Sequence, residues 1–205
     1  MEDFVERENK LKREIILAIE TAIGGGSISL LDKKSEIDFW IGESERLRAE
    51  NLLLIIAELL SKNGLQKSDI KKIVYSEGPG SHTGIRIGAA TSQGLQSAFG
   101  CEWAGATMLK ALTLRTETKG CIQTAIQTSQ NSVWRQSFEK SDSIICKTLP
   151  DLVSDEIFLS ELNDFQEIIL LTSDAGYYSH QKIVNVSIND NLARLIGLTS
   201  RQRFF

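Results

Sequence analysis

The stretch Gly78-Pro79-Gly80-Ser81-His82-Thr83-Gly84 has the clearest capacity for chemistry in this sequence. Glycines in such a turn allow close backbone approach. A helix starting just after it would offer free N–H groups to an anion. Gly78 and Gly80 are therefore candidates for a phosphate or carboxylate cradle, with Thr83 expected to cap the helix. The spacing is neither G-x-G-x-x-G nor a P-loop with its lysine. A tight strand-to-helix connection is the plainer use of the same residues. Ser81 and His82 suggest a nucleophile and its base. However, neighbours on a turn point in different directions, and Ser81 lacks the G-x-S-x-G elbow. A second candidate is Glu20 with Thr21, just before Gly24-Gly25-Gly26. A carboxylate there could hold a nucleotide and its metal, or simply be a solvated acidic turn.

Composition narrows these options. The chain has 205 residues, 41% hydrophobic and 24% charged, with a formal net charge of -4. That suits an ordinary globular chain of one large domain or two small lobes. It carries no basic block, which disfavours independent binding of nucleic acid. Only His82 and His180 are available as imidazole ligands. No H-x-x-x-H or H-E-x-x-H pattern exists, so a binuclear metal site would need mostly carboxylates. The three cysteines, Cys101, Cys121 and Cys146, form no C-x-x-C pair and imply neither a disulfide framework nor a zinc site. The charged opening does not read as a signal peptide, and the longest apolar run, Leu52 to Ala57, is too short to span a bilayer. A cytoplasmic protein without a membrane partner is expected.

Strands and helices must position these residues. Glu14 to Ile19 and Ser27 to Asp32 read as strands joined by the glycine turn, with Ile37 to Ile41 a third strand. Glu45 to Asn63 reads as a helix stopped by Asn63-Gly64. Ile70 to Tyr75 reads as a buried strand leading into the glycine-rich turn, and a helix then runs to about Phe99. Trp103 to Gly105 follows as a strand and Thr107 to Leu114 as a short helix. A similar opening then recurs: Ala18-Ile19-Glu20-Thr21 before Ser27-Ile28, and Ala125-Ile126-Gln127-Thr128 before Ser132-Val133. This echo suggests duplication into two lobes, 1–114 and 115–205. In the second lobe, Ile122 to Ile126 and Val133 to Phe138 form a hairpin, and Asp142 to Asp151 reads as irregular. Ile168 to Thr172 and Ile183 to Val186 are strands. Asn189 to Ile196 is a helix capped by Asn189.

Two helices invite a partner. Leu52, Ile55, Ile56 and Leu59 make one apolar stripe on the first, and Leu53, Ala57 and Leu60 make a second. One stripe can cover the protein's own sheet, and the other needs another surface. The helix after the glycine turn carries Gly84, Gly88, Ala89, Ser92, Gly94 and Ser97, small residues that permit close helix approach. Packing of the two helices on each other is the alternative.

The run Gly78 to Gly88 resembles the TsaB (YeaZ) family, whose signature is G-P-G-S-[FY]-T-G-[LV]-R-[IV]-G. Ile16 to Thr21 is similar to that family's opening strand, and Arg48 to Leu53 to its H-S-E-x-L-L helix start. Gln127 to Trp134 falls where the family has D-A-R-R-x-E-V-Y. The resemblance implies an α/β, two-lobed actin/Hsp70/sugar-kinase-like (ribonuclease H-like) fold, here with the second lobe shortened. It implies a non-catalytic subunit of the complex that forms N6-threonylcarbamoyladenosine at position 37 of tRNA. The partners it implies are a TsaD-like transferase, a TsaE-like ATPase or a second copy of the chain, with tRNA met only through the complex. ATP or ADP and metal would sit on partner subunits. The implied interface includes Leu53, Ala57, Leu60, Ser81, His82, Thr83, Ile85, Arg86 and Ala89. Glu20 for Asp, His82 for an aromatic residue, Arg48-Ala49 for His-Ser and Gln127-Thr128 for Asp-Ala depart from the pattern. An active small-molecule kinase or ATPase of the same fold, built on Glu20, Thr21 and the glycine loop, is the alternative.

Overall fold

The computed structural model describes residues 14–33, 35–43, 49–128 and 131–201. The expected start of the first helix at 45–48, with Arg46 and Arg48, lies outside these residues. The first sheet holds β1 (Ile15–Glu20), β2 (Ser27–Leu31), β3 (Glu36–Ile41), β4 (Ile70–Ser76) and β5 (Glu102–Ala106), in the order β3-β2-β1-β4-β5. β1, β2 and β3 form an antiparallel meander, and β4 and β5 run parallel to β1. The continuous apolar run of β1 suits a strand covered on both faces. Ile15, Leu17 and Ile19 join one cluster, and Ala18 joins another on the opposite face.

Helix α1 (Ala49–Lys62) and helix α2 (His82–Phe99) both cover the Leu17 face. Leu52, Ile56, Leu59 and Leu60 of α1 are buried there, and Ile87, Leu95 and Phe99 of α2 pack against the same cluster. Gly64 ends α1 with φ +61, as the Asn63-Gly64 signal predicts. After β5 comes the short α3 (Met108–Leu112), capped by Thr107.

The second sheet holds β6 (Gly120–Gln127), β7 (Ser132–Lys140), β8 (Ile144–Cys146), β9 (Asp151–Ser154), β10 (Glu167–Thr172) and β11 (Ile183–Ser187). Its order is β11-β10-β6-β7-β8, with β9 also on β7. Read from β6, this is the same order as the first sheet: an antiparallel meander, then two parallel strands. The short echo between residues 18–28 and 125–133 therefore corresponds to equivalent hairpins in the two sheets. The shortening lies in the helices. Where β4 and β5 are joined through α2, β10 and β11 are joined by residues 173–182 without a helix.

Two local expectations need correction, and one helix was not anticipated. The stretch 142–151 contains β8, because Ile144 can bury itself beside Phe138. A helix, α4 (Asp155–Ser160), follows β9, with the Ile157 N–H donated to Ser154 Oγ at 3.4 Å. The last helix, α5 (Leu192–Thr199), is capped by Asn191, not Asn189. Asn191 Oδ1 accepts the Arg194 N–H, while its amide donates to Glu36 at 2.6 Å.

Helix α5 lies on the first sheet, although its sequence belongs to the expected second lobe, 115–205. Ala193 packs with Ala18 and Leu31, and its N–H is donated to Ser27 Oγ at 2.9 Å. One core spans both sheets, with Val74, Met108, Ile122, Ile126, Ile169, Leu171, Val186 and Leu192 in a single cluster. Lys140 Nζ donates to the carbonyls of Thr113 and Thr116, which ties the connection between the lobes to β7. Among the described residues, no helix is long and apolar enough to cross a membrane.

Candidate functional site

The glycine-rich turn follows β4, and its glycines are there for close packing. A Cβ on Gly84 would lie 2.0 Å from the Thr21 carbonyl oxygen, and one on Gly80 2.5 Å from that of Ala22. A Cβ on Gly88 would lie 2.5 Å from Thr21 Oγ1. The start of α2 is thereby pressed onto the β1–β2 turn. Thr21 Oγ1 donates to the Gly84 carbonyl at 2.8 Å, and the Ser81 N–H is donated to the Ala22 carbonyl at 2.8 Å. Gly78, at φ +87, donates its N–H to Ser76 Oγ at 3.3 Å and accepts from Met108 at 2.8 Å.

The expected anion cradle at Gly78 and Gly80 therefore gives way to the tight connection. The cap of α2 is Ser81, whose Oγ accepts the Gly84 N–H at 3.3 Å, and Thr83 sits inside the first turn. Ser81 is thus occupied as a cap, and His82 beside it is exposed. This arrangement gives the pair no nucleophile-and-base geometry.

Glu20 does not form a solvated turn, and it does not face outward to a nucleotide. It is fully buried, and its carboxylate turns back onto its own chain. Oε1 accepts the Ala22 N–H at 2.6 Å, and both oxygens receive the Ile23 N–H at 3.1 and 3.3 Å. Burial pushes its pKa up to about 7, against the lowering effect of those two N–H groups. Ala22 and Ile23 enter the core between the lobes, beside Ile126, Val186 and Leu192. Gly24, at φ +57, abuts the Ile188 carbonyl oxygen across the same junction, 3.1 Å from where its Cβ would be. The Glu20 carboxylate is thus committed to its own backbone and the turn after it to the core between the lobes. Among the described residues, no three His, Cys, Asp or Glu side chains gather as a metal site. The donor set does not fit a metal–nucleotide complex.

In the second lobe, Gln127 and Thr128 stand at the equivalent hairpin end. Gln127 Oε1 accepts from Thr172 Oγ1, and Thr128 Oγ1 donates to the Ser132 carbonyl at 2.8 Å. Both side chains are used to hold the turn.

The expected interface residues divide. Leu53 is 52% exposed and Ala57 is also exposed. Leu60 is only 8% exposed and belongs to the core, which corrects its assignment. The reason is periodicity: Leu52, Ile56 and Leu60 stand four residues apart, on one face. Leu54, at 63% exposure, takes the place on the outer face that was given to Leu60. On α2, His82, Thr83 and Arg86 are exposed, and Ala89 is half-buried. Ile85 is a second correction, because it packs against the core that spans the lobes and against Gly78. The outer face continues through Ala90, Gln93, Gly94 and Ser97, all exposed; sequence reasoning named Gly94 and Ser97 among the small residues of this helix but missed Ala90 and Gln93. The 86–90–93–97 spacing was the available signal.

α1 and α2 therefore lie side by side on one sheet face. Their outer surface is apolar on α1, at Leu53, Leu54 and Ala57, and small or polar on α2. That surface suits helix-on-helix contact.

Residues 43–127 match a family model described as TsaD, tRNA N6-adenosine threonylcarbamoyltransferase. The tRNA threonylcarbamoyladenosine biosynthesis protein TsaB of Haemophilus influenzae is 34% identical over 88 residues, 42% of this chain and 36% of that protein. The Escherichia coli protein of the same name is 33% identical over 105 residues, 51% of this chain and 43% of that protein. These matches span less than half the length of either relative. Among solved structures, YeaZ from Pseudomonas aeruginosa superposes with a TM-score of 0.69 at 19% identity, covering 92% of this chain and 93% of that one. The two share a fold over that extent.

Proposed function

We propose, from the premise that this chain belongs to the TsaB (YeaZ) family, that it serves tRNA threonylcarbamoyladenosine biosynthesis as a non-catalytic scaffold. It lends the outer face of α1 and α2 to a TsaD-type transferase. The transferase and a TsaE-type ATPase supply nucleotide, metal and the grip on tRNA. The observation that carries this reading is the exposed pair Leu53 and Leu54 beside the small-residue face of α2. Adjacent exposed apolar side chains on one helix, beside a small-residue face on the next, suit contact with a partner's helices. The inward carboxylate of Glu20 and the packing of the turn after it into the core between the lobes support the absence of catalysis in this subunit.

The test is complex formation. The purified protein, mixed with the TsaD-type protein of its own organism at micromolar concentration with ATP, should co-elute with it on size exclusion. Leu53→Glu should abolish co-elution while leaving the melting temperature unchanged. Separate elution of the wild-type proteins would reject the reading. A homodimer through the same face would be broken by the same variant. Depletion in cells should lower threonylcarbamoyladenosine in tRNA hydrolysates, and unchanged levels would remove the pathway assignment. The kinase or ATPase alternative requires nucleotide hydrolysis by the protein alone, lost in Glu20→Ala.

A further inference from the structure

We propose that Glu20 is a positioning residue, a latch through which the β1–β2 turn sets the first turn of α2. This rests on the reading that α2 faces a partner, and it adds a means of regulating that face. The connections are direct. The buried carboxylate holds the N–H groups of Ala22 and Ile23. The Ala22 carbonyl accepts the N–H of Ser81, the cap of α2. Thr21, between them, donates its hydroxyl to Gly84 in the first turn. Gly80, Gly84 and Gly88 leave no slack, since each lies against Thr21 or Ala22 closer than any Cβ would permit. On the far side, Gly24 meets Ile188, whose N–H is donated to Thr172 at 3.2 Å. A turn gripped from both lobes transmits a displacement because packed interiors do not absorb one.

The latch has two chemical states. The residue opposite Glu20 on β2 is Ser27, whose Oγ accepts the Ala193 N–H from α5. On the neighbouring β4, the residue after Tyr75 is Ser76, whose Oγ accepts the Gly78 N–H. Neither serine titrates, and among the described residues the influences on the ionisation of Glu20 are its burial and the N–H groups of Ala22 and Ile23. Desolvation alone opposes the two N–H groups and brings its titration to about pH 7. The ionised carboxylate receives charge-assisted bonds on both oxygens. Protonation turns one oxygen into a donor, and the Ile23 N–H, which reaches both oxygens, loses an acceptor. Oε1 keeps both N–H groups after protonation of Oε2, but without charge assistance, so the turn is held more tightly in the ionised state than in the protonated one.

The test starts with the isolated protein. The amide resonances of Ala22, Ile23, Ser81 and Gly84 are followed from about pH 5.5 to about pH 8.5. All four should move with a common midpoint near 7. Movement of Ala22 and Ile23 without Ser81 and Gly84 would overturn the coupling, and no shared midpoint would overturn the latch. Glu20→Gln should flatten all four curves. If that variant misfolds, the wild-type titration decides alone. Thr21→Val should uncouple Gly84 while Ala22 and Ile23 still titrate.

Affinity for the TsaD-type partner is then compared at pH 6 and pH 8 in a His82→Gln background, which removes the imidazole from the same turn. Binding should be tighter at pH 8 by about fivefold or more. It should be independent of pH once Glu20→Gln is added. A complex whose affinity does not change with pH overturns the reach of the latch. Absence of any complex overturns the partner reading, and the four-amide titration still decides the latch.

Discussion

At the residue scale, two positions define how the turn works. Glu20 binds a proton more readily folded than unfolded, because its folded pKa of about 7 exceeds the ordinary 4.5. Its contribution to stability is therefore full below pH 4.5 and is lost as pH rises through 7. Thermal unfolding should show wild type losing stability from pH 5 to pH 7.5 relative to Glu20→Gln, by about 1 kcal/mol or more. Parallel curves for the two proteins would contradict this. Gly84 is a steric position, since a methyl group there would strike a backbone carbonyl. Gly84→Ala should cost about 3 kcal/mol, read as a lower urea midpoint. Both residues stand out in the sequence, Glu20 before a glycine run and Gly84 within a glycine motif. Neither sequence feature says that they meet through Thr21, 63 residues from Gly84 in the chain.

At the element scale, α1 sorts its leucines by angle. Leu52, Ile56, Leu59 and Leu60 face the sheet, and Leu53 and Leu54 face out. Leu60→Ala should cost about 2 to 3 kcal/mol in chemical denaturation, as buried leucines do. Leu53→Ala should leave the denaturation midpoint within about 0.5 kcal/mol of wild type. It should still weaken association, which analytical ultracentrifugation or size exclusion reads. Reversal of these two outcomes would exchange core and interface. The end of α1 was legible from its Asn63-Gly64 stop signal, and α2 ends, as expected, at Phe99, before Gly100; both glycines have positive φ. The assignment of Leu60 was not, because both of its neighbouring stripes are apolar and periodicity alone does not rank them. Helix α4 was missed because it has only six residues, too few for a periodic pattern, although Ser154-Asp155-Glu156 is a fair start signal.

At the scale of the whole molecule, α5 returns from the second sheet to the lobe that holds β1 and β2. Helix α5 covers Ala18 and Leu31, and Gly197 lets it approach them: a Cβ there would lie 2.9 Å from Ala18 Cβ. Truncation after Asp190 should therefore destabilise the first lobe as well as the second. Hydrogen exchange should find the amides of β1 and β2 losing protection. Retained protection there would mean that the first lobe closes without α5. The same closure explains the junction between the lobes. Ala22 and Ile23 from the first turn and Ile126 and Val186 from the second sheet share one core, so the lobes are joined by apolar packing.

The sequence by itself determined the kinds of element, most of their limits, the repeated hairpin opening and the glycine motif that carries the family likeness. These depend on local rules: alternation, helical spacing, and the stop and turn residues that glycine and asparagine supply. Tertiary structure alone decided which apolar stripe of α1 is inside, and that the motif glycines press against the β1–β2 turn. It also decided that Glu20 points inward and that the last helix returns to the first sheet. Each of these is set by a neighbour distant in the chain. Periodicity orders the faces of an element, but the surface that meets each face is a property of the packed whole.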